Sequence, residues 1–375
     1  MKRFAIDQKS LVAILASMQP ICSKRTTIDT TASILFQVGH RELVMKSTDL
    51  EISLQANCPV NDSTLTQSES FLVPGKRIFE IVKEFDGLIT CTIKNNQLAF
   101  KAGSVHVTLN VQDEQGFPPF PERIENLMQL DTTIFARMLD NVSFLIPQTS
   151  TQNALTGLYL EITPAGLTMT TTDGHCLAQV KHSNFKLDSA RSWLLPRRAI
   201  FELKKIIETT KASTIFLGTC NNQLVFSGEM FNFFTKLLAD PFPAYTGVLD
   251  KHEFIPATVE RVGFIKTLRR SASLLSGQFI ATQFGFESGK VNVSMKNKEV
   301  GTLDEELALI GFADDNKIDM RFYAPYLLNG LQVFSQEQIS FFLKNNTKPI
   351  IFEAISSDNM NMTYLVMPVS ATAGQ

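Results

Sequence analysis

At 375 residues, with 44% hydrophobic and 19% charged residues, the chain is long enough for two or three folded domains and too apolar to be a disordered polymer. A formal net charge of −2 excludes a uniformly basic nucleic-acid protein, and no apolar run approaches the roughly 18 residues of a membrane span. Five scattered cysteines (Cys22, Cys58, Cys91, Cys176, Cys220), with no CxxC pair, point to reduced thiols in a cytoplasmic protein and away from zinc or a disulfide framework.

The first residues look superficially like a signal peptide, with Lys2 and Arg3 ahead of an apolar stretch. Asp7, Gln8 and Lys9 interrupt that stretch, and Leu11, Ile14, Leu15 and Met18 fall at helical spacing, so the segment is expected to be an amphipathic helix capped by Asp7. Ser33–Val38 alternates as a strand, turns at Gly39 and returns through Leu43-Val44-Met45 to Thr48-Asp49. A second helix is expected after Pro74, where a missing N–H costs nothing, and Asn95-Asn96 suits a hairpin turn.

The same order then begins again. Asp131 stands as a cap before Ile134, Phe135, Met138, Leu139 and Val142, an apolar stripe at helical period. Leu158–Ile162 alternates, turns at Pro164–Gly166 and leads to Thr172-Asp173. Another helix follows Pro196, and Asn221-Asn222-Gln223-Leu224 nearly copies Asn95-Asn96-Gln97-Leu98. Phe117-Pro118-Pro119-Phe120 returns as Phe242-Pro243-Ala244-Tyr245. A fainter third copy offers Thr258 as a cap before Phe264, Ile265 and Leu268, a strand at Val291–Asn297, and Asn345-Asn346. Three units spaced by about 124 residues give expected domains at 1–123, 124–251 and 252–375, each α+β with helices on one face of an antiparallel sheet.

Thr171-Thr172-Asp173-Gly174-His175-Cys176-Leu177-Ala178 resembles the TDGHRLA segment of the bacterial DNA polymerase III beta subunit, the DNA sliding clamp family. Leu155 with Gly157, Leu195-Pro196-Arg197-Arg198, Phe242-Pro243 with Tyr245, and Val366-Met367-Pro368 match in the same order. The likeness spans the whole chain. It implies a DNA clamp fold of three similar domains, with helices lining a ring of two head-to-tail chains and sheets outside. It also implies a non-enzymatic processivity factor without metal or cofactor, whose partners are duplex DNA, DNA polymerase III subunits, the clamp loader and other clamp-binding-motif proteins. Cys176 replaces the usual Arg, 149–154 lacks the family's Arg and Tyr, Thr30-Thr31 replaces a more apolar loop, and Val369–Gln375 replaces the common terminal Arg-Leu.

Basic residues recur on the expected helices: Lys76 and Arg77, then Arg197, Arg198 and Lys204, then Lys266, Arg269 and Arg270. In a ring these would meet phosphates without reading sequence, with Arg25 joining them through the resemblance. The resemblance assigns a partner-peptide groove to Leu155, Thr172, Gly174, His175 and Leu177, with Pro243, Val248, Tyr326, Val366, Met367 and Pro368. It points to the edge around Ser104–Leu109, with His106, as one side of the chain-to-chain contact; the other side is expected at Leu274 and Leu275, an apolar pair ending a helix, flanked by Glu305 and Glu306. Two other readings stand beside this one: a metal-dependent hydrolase using Asp49, Asp173 and His175, and a divergent clamp paralogue that no longer loads on DNA. The recurrence of only Thr-Asp, with Glu51 in place of His175 and Asn297 in the third copy, favours a turn closed by its own side chain.

Overall fold

The computed structural model describes residues 2–22, 28–121, 123–276, 280–312, 317–356 and 358–369. Among these, six α-helices stand between antiparallel strands: α1 (Gln8–Met18), α2 (Gly75–Val82), α3 (Thr132–Ser143), α4 (Arg197–Thr210), α5 (Arg261–Ser273) and α6 (Ala324–Leu331). Each follows a strand, directly or, for α6, after Tyr323 alone, with two helices per repeat. No helix among the described residues is long and apolar enough to cross a membrane.

The chain folds as two compact units whose boundary cuts through the second repeat. Unit 1 comprises Met1–Ala136 and Arg198–Leu237, and unit 2 comprises Arg137–Arg197 and Leu238–Gln375. Unit 1 holds a five-stranded sheet, with Val105–Asn110 at one edge, and an eight-stranded sheet. In the latter, Phe231–Lys236 of the second repeat pairs with Ile52–Pro59 of the first, Thr235 opposite Ile52. Unit 2 is built on one twelve-stranded sheet, in which Cys176–His182 of the second repeat pairs with Met360–Val366 of the third, Cys176 opposite Val366. The same kind of ladder therefore joins each repeat to the next.

The helices pack by their apolar stripes. Leu11, Leu15 and Met18 of α1 are buried in unit 1 with Ile78 and Val82 of α2, which packs on α1. In unit 2, Phe264, Ile265 and Leu268 of α5 are buried with Leu327 and Leu331 of α6. Each such side chain contributes about 1.5–3 kcal/mol of burial free energy. Gly330 lies within α6, where a Cβ would collide with the ring of Tyr364, whose hydroxyl donates to the Tyr326 carbonyl at 2.7 Å.

Asp7 and Asp131 cap α1 and α3 as expected, accepting from the amides of Ser10 (3.0 Å) and Ile134 (2.9 Å). Asn95, Asn96 and Asn221 take positive φ (50°, 56° and 53°), the conformation a tight hairpin demands. Three expectations are corrected. Lys2–Asp7 is a strand, paired with Leu88–Lys94, so only the part from Gln8 is helical. Thr258 lies within the strand Ile255–Glu260; α5 is capped instead by Glu260, whose carboxylate accepts from the amides of Val262 and Gly263. The strand runs on to Glu260, so Thr258 stands too early in the chain to meet the first-turn amides. Asn345 does not form a two-residue hairpin but closes a longer loop, its Oδ1 accepting from Thr347 N (3.0 Å) and Lys348 N (3.1 Å).

Asp7→Ala and Asp131→Ala should each lower the unfolding free energy by about 1 kcal/mol, the ordinary cost of a lost N-cap. Thr258→Ala should leave α5 capped, and Glu260→Ala should not. Urea titration followed by circular dichroism measures all four variants.

Candidate partner groove and basic faces

The Thr-Asp turn is the seed of the site. The Thr172 hydroxyl donates to the Cys176 carbonyl (2.6 Å) and accepts from Gly174 N (3.2 Å). One Asp173 oxygen accepts from both His175 N (2.8 Å) and Cys176 N (2.7 Å). The first repeat does the same with Asp49, which takes Glu51 N (3.0 Å) and Ile52 N (2.8 Å). In the third, Asn297 takes Glu299 N (2.9 Å) and Val300 N (3.3 Å). The carboxylates offered to the hydrolase reading are thus engaged in turns, and Asp49 also holds Arg198. No three His, Cys, Asp or Glu side chains among the described residues form a metal-like cluster.

Around the turn of unit 2 the sequence-expected residues converge. Gly174 has φ +91°, a conformation an L side chain resists, and a Cβ there would lie 3.9 Å from Leu155 Cδ1. The His175 ring stacks on Tyr326, centroids 5.5 Å apart, and the His175 carbonyl accepts from Met367 N at 2.9 Å. Leu177 packs in a buried cluster with Ile351 and Leu365, against which half-buried Tyr245 and Met367 rest. Pro243 and Pro368 are half-buried, and Val248 is exposed on a short 3-10 turn. Val366 departs from expectation: it is fully buried in the sheet and offers the groove no side chain. Burial first, then the Asp173 charge, pushes the Tyr326 hydroxyl above its ordinary pKa. Burial pushes the Cys176 thiol up to about 12, so it behaves as an apolar group beneath the turn.

Sequence reasoning did not single out Leu249, Phe254 or Phe342, which pack against the same cluster, or Tyr159, stacked on Phe242 at 4.9 Å. Their aromatic and aliphatic character was visible, but an apolar residue in a loop carries no mark of which cluster receives it.

The basic residues divide by their partners. Arg198 is ion-paired with Asp49, and its other terminal nitrogen donates to the Pro20 carbonyl at 3.0 Å. Arg197 Nε donates to the Ile146 carbonyl at 3.0 Å. Cations in the first turn of a helix oppose its dipole, and these contacts offset that cost at α4. Lys76 sits 3.8 Å from Glu80, Lys204 lies over the Phe201 ring, and Arg270 pairs with Glu305. That bond holds the Glu305 carboxyl below the usual carboxylate range. Arg77, Lys266 and Arg269 are exposed and unpaired among the described residues. α6 carries no Lys or Arg. Arg25 lies outside the described residues.

The expected contact segments also have definite surroundings. His106 is exposed on the edge strand Val105–Asn110, opposite Lys101. Leu274 and Leu275 are half-buried at the end of α5, and Glu306 pairs with Lys290 at 2.8 Å. The strand Gly301–Ile310 pairs fully with Lys290–Asn297, but on its other side only through Leu309 and Ile310.

Family models for the DNA polymerase III beta subunit match in succession: the N-terminal domain over residues 1–121, the central domain over 129–244 and the C-terminal domain over 248–370. The beta sliding clamp of Pseudomonas aeruginosa is 26% identical over 372 residues, covering 98% of this chain and 99% of its own. That of Staphylococcus aureus is 23% identical over 379 residues, with coverage of 98% and 99%. Among solved structures, the DNA polymerase III subunit beta from Pseudomonas aeruginosa superposes with a TM-score of 0.89 at 23% identity, covering 98% of this chain and 99% of that one. The Bacillus subtilis sliding clamp gives 0.89 at 20% identity, covering 99% of each. With all three domains of one family matched in order along it, the chain belongs to the DNA polymerase III beta subunit family, the non-catalytic bacterial sliding clamps.

Proposed function

We propose that the protein is a DNA polymerase processivity factor in which two chains join head to tail into a ring around duplex DNA. Three domains per chain, 1–123, 124–251 and 252–375, would supply six to that ring. The observation that carries the reading is the groove: a glycine turn, an imidazole–phenol stack and the Leu177–Met367 cluster converge on one face of unit 2. Such a surface suits apolar anchors of a short peptide, and Gly174 allows its backbone to approach closely. Polymerase III subunits, the clamp loader and other proteins bearing a clamp-binding motif are its occupants in this reading.

DNA is held by topology more than by affinity. The net charge is −2, and several helix cations are engaged within the chain, so an open surface would hold a duplex weakly. Exposed Arg77, Lys266 and Arg269 supply non-specific phosphate contacts, which permit sliding because they read no bases. Two half-open strands support head-to-tail closure: Val105–Asn110 in unit 1 and Gly301–Ile310 in unit 2. Pairing unlike edges recurs around a rotation and closes a ring. Leu274 and Leu275 add apolar area, whereas Glu305 and Glu306 already have partners and contribute mainly specificity.

Loaded on nicked circular DNA, the protein should survive moderate salt and be lost when the circle is cut. Equal retention on linear and circular DNA sinks the reading. Changing both Leu274 and Leu275 to Asp should give a folded single chain by sedimentation that is not retained on circles; a variant that still dimerises moves the interface elsewhere.

The groove has its own test. Gly174→Trp should weaken a polymerase-derived peptide at least tenfold by calorimetry, and Met367→Ala by about tenfold, the loss of one well-packed anchor. Unchanged affinity in both variants rejects the site.

A further inference from the structure

A cavity of about 1130 Å³ opens in unit 1 beside the ladder that joins the first repeat to the second. It is constructed like the groove of unit 2. The Thr48 hydroxyl donates to the Ile52 carbonyl and accepts from Leu50 N, as Thr172 does with Cys176 and Gly174. Lys236 N donates to the Glu51 carbonyl at 2.9 Å, the bond that Met367 N makes to the His175 carbonyl at 2.9 Å. Pro118, Phe120 and Arg123 line it, at the repeat positions that Pro243, Tyr245 and Val248 occupy in the second copy.

We propose that this cavity is a second docking site, for a short acidic segment of a partner protein that also carries an aromatic or aliphatic anchor. Among the described residues, the charged side chains that line it are both cations, Arg123 and Lys236. They stand where the unit 2 groove has Val248 and Met367, so the two grooves differ in the charge they select. The carboxylate near Lys236 is Glu51, at 3.5 Å, with the two side chains 48% and 66% exposed. An ion pair that exposed is worth little and exchanges readily for an incoming carboxylate. The floor is apolar. Phe120 is half-buried, stacked on Phe117 and edge-on to Phe234, both with centroids 6.1 Å away.

Leu50 points to the same conclusion. It lines the cavity with φ +77°, where its repeat counterpart is Gly174 at +91°. A leucine in that conformation costs of order 1 kcal/mol or more, and such strain collects at binding sites. Here it places an isobutyl group where glycine would leave none. Bare phosphate would meet the cations but not the prolines, the Phe120 ring and Leu50, so an acidic peptide satisfies the lining better than DNA does. None of this depends on encirclement of DNA or on the unit 2 groove being occupied.

The test uses the full chain and the pentapeptide Glu-Asp-Phe-Leu-Glu labelled with fluorescein at its N-terminus, followed by anisotropy. Saturable binding is expected, weakened at least tenfold by Lys236→Glu and by Arg123→Glu, and unchanged by Gly174→Trp. The same peptide with lysine at its three acidic positions should not saturate. Both charge reversals sit on exposed or half-exposed side chains, and a thermal melt matching the parent shows that the fold is kept. The proposal is overturned by absent saturation, by equal binding of the lysine peptide, or by loss on Gly174→Trp, which puts the peptide in the other groove. It is also overturned if a short DNA duplex displaces the peptide stoichiometrically, since the surface is then a phosphate site.

Discussion

A carboxylate or amide closing its own turn sets the geometry on which both grooves depend. Asp173 and Asp49 each accept two successive backbone amides, and Asn297 does so in the third repeat. Hydrogen bonds from backbone N–H to an ionised carboxylate are among the stronger ones, about 1.5–3 kcal/mol each. Lys298, after Asn297, does not take positive φ, whereas in the first two repeats the residue after the Asp does, +91° for Gly174 and +77° for Leu50. That conformation turns the chain so that His175 and Glu51 present their carbonyls to Met367 and Lys236. The strand ends that complete each groove are therefore docked by a turn that is settled locally.

The second dependence is sheet continuity. Cys176 opposite Val366 and Ile52 opposite Thr235 are equivalent registers, and each makes one continuous sheet from two repeats. A slip of one residue would exchange the inner and outer faces of the strand. Val366 illustrates the outcome: the register that brings Met367 to the groove buries its neighbour completely. Alternation along a strand allots one residue to the core and the next to the surface.

Charge is spent unevenly across the helices. At α4 the first-turn arginines are offset by Asp49 and by backbone carbonyls, while Arg77, Lys266 and Arg269 stay exposed. A cation held by a carboxylate within its own chain has less to offer a phosphate, so helix position alone does not rank the contributions of these residues. The same reasoning separates the grooves. Equivalent turn and strand hydrogen bonds carry methionine and valine in one and lysine and arginine in the other, so the two surfaces differ in charge on a common frame.

The sequence by itself determined the local events. The Asp7 and Asp131 caps, the Asn hairpins of the first two repeats and their Thr-Asp turns all depend on contacts within a few residues, and the structure has each of them. The resemblance also put Gly174, His175 and Leu177 forward together, because they stand in one segment, and the structure keeps them around one turn. Tertiary structure decided the rest. Whether Lys2–Asp7 is strand or helix depends on the partner strand Leu88–Lys94, far along the chain. The capping of α5 by Glu260 depends on where a pairing strand stops. The division into two units that cut through the second repeat, and the pairing of Arg198 with Asp49, join residues more than a hundred positions apart. Such long-range pairings leave no periodic trace in a single sequence, because the free energy that selects them comes from burial and hydrogen bonding completed only when distant segments meet.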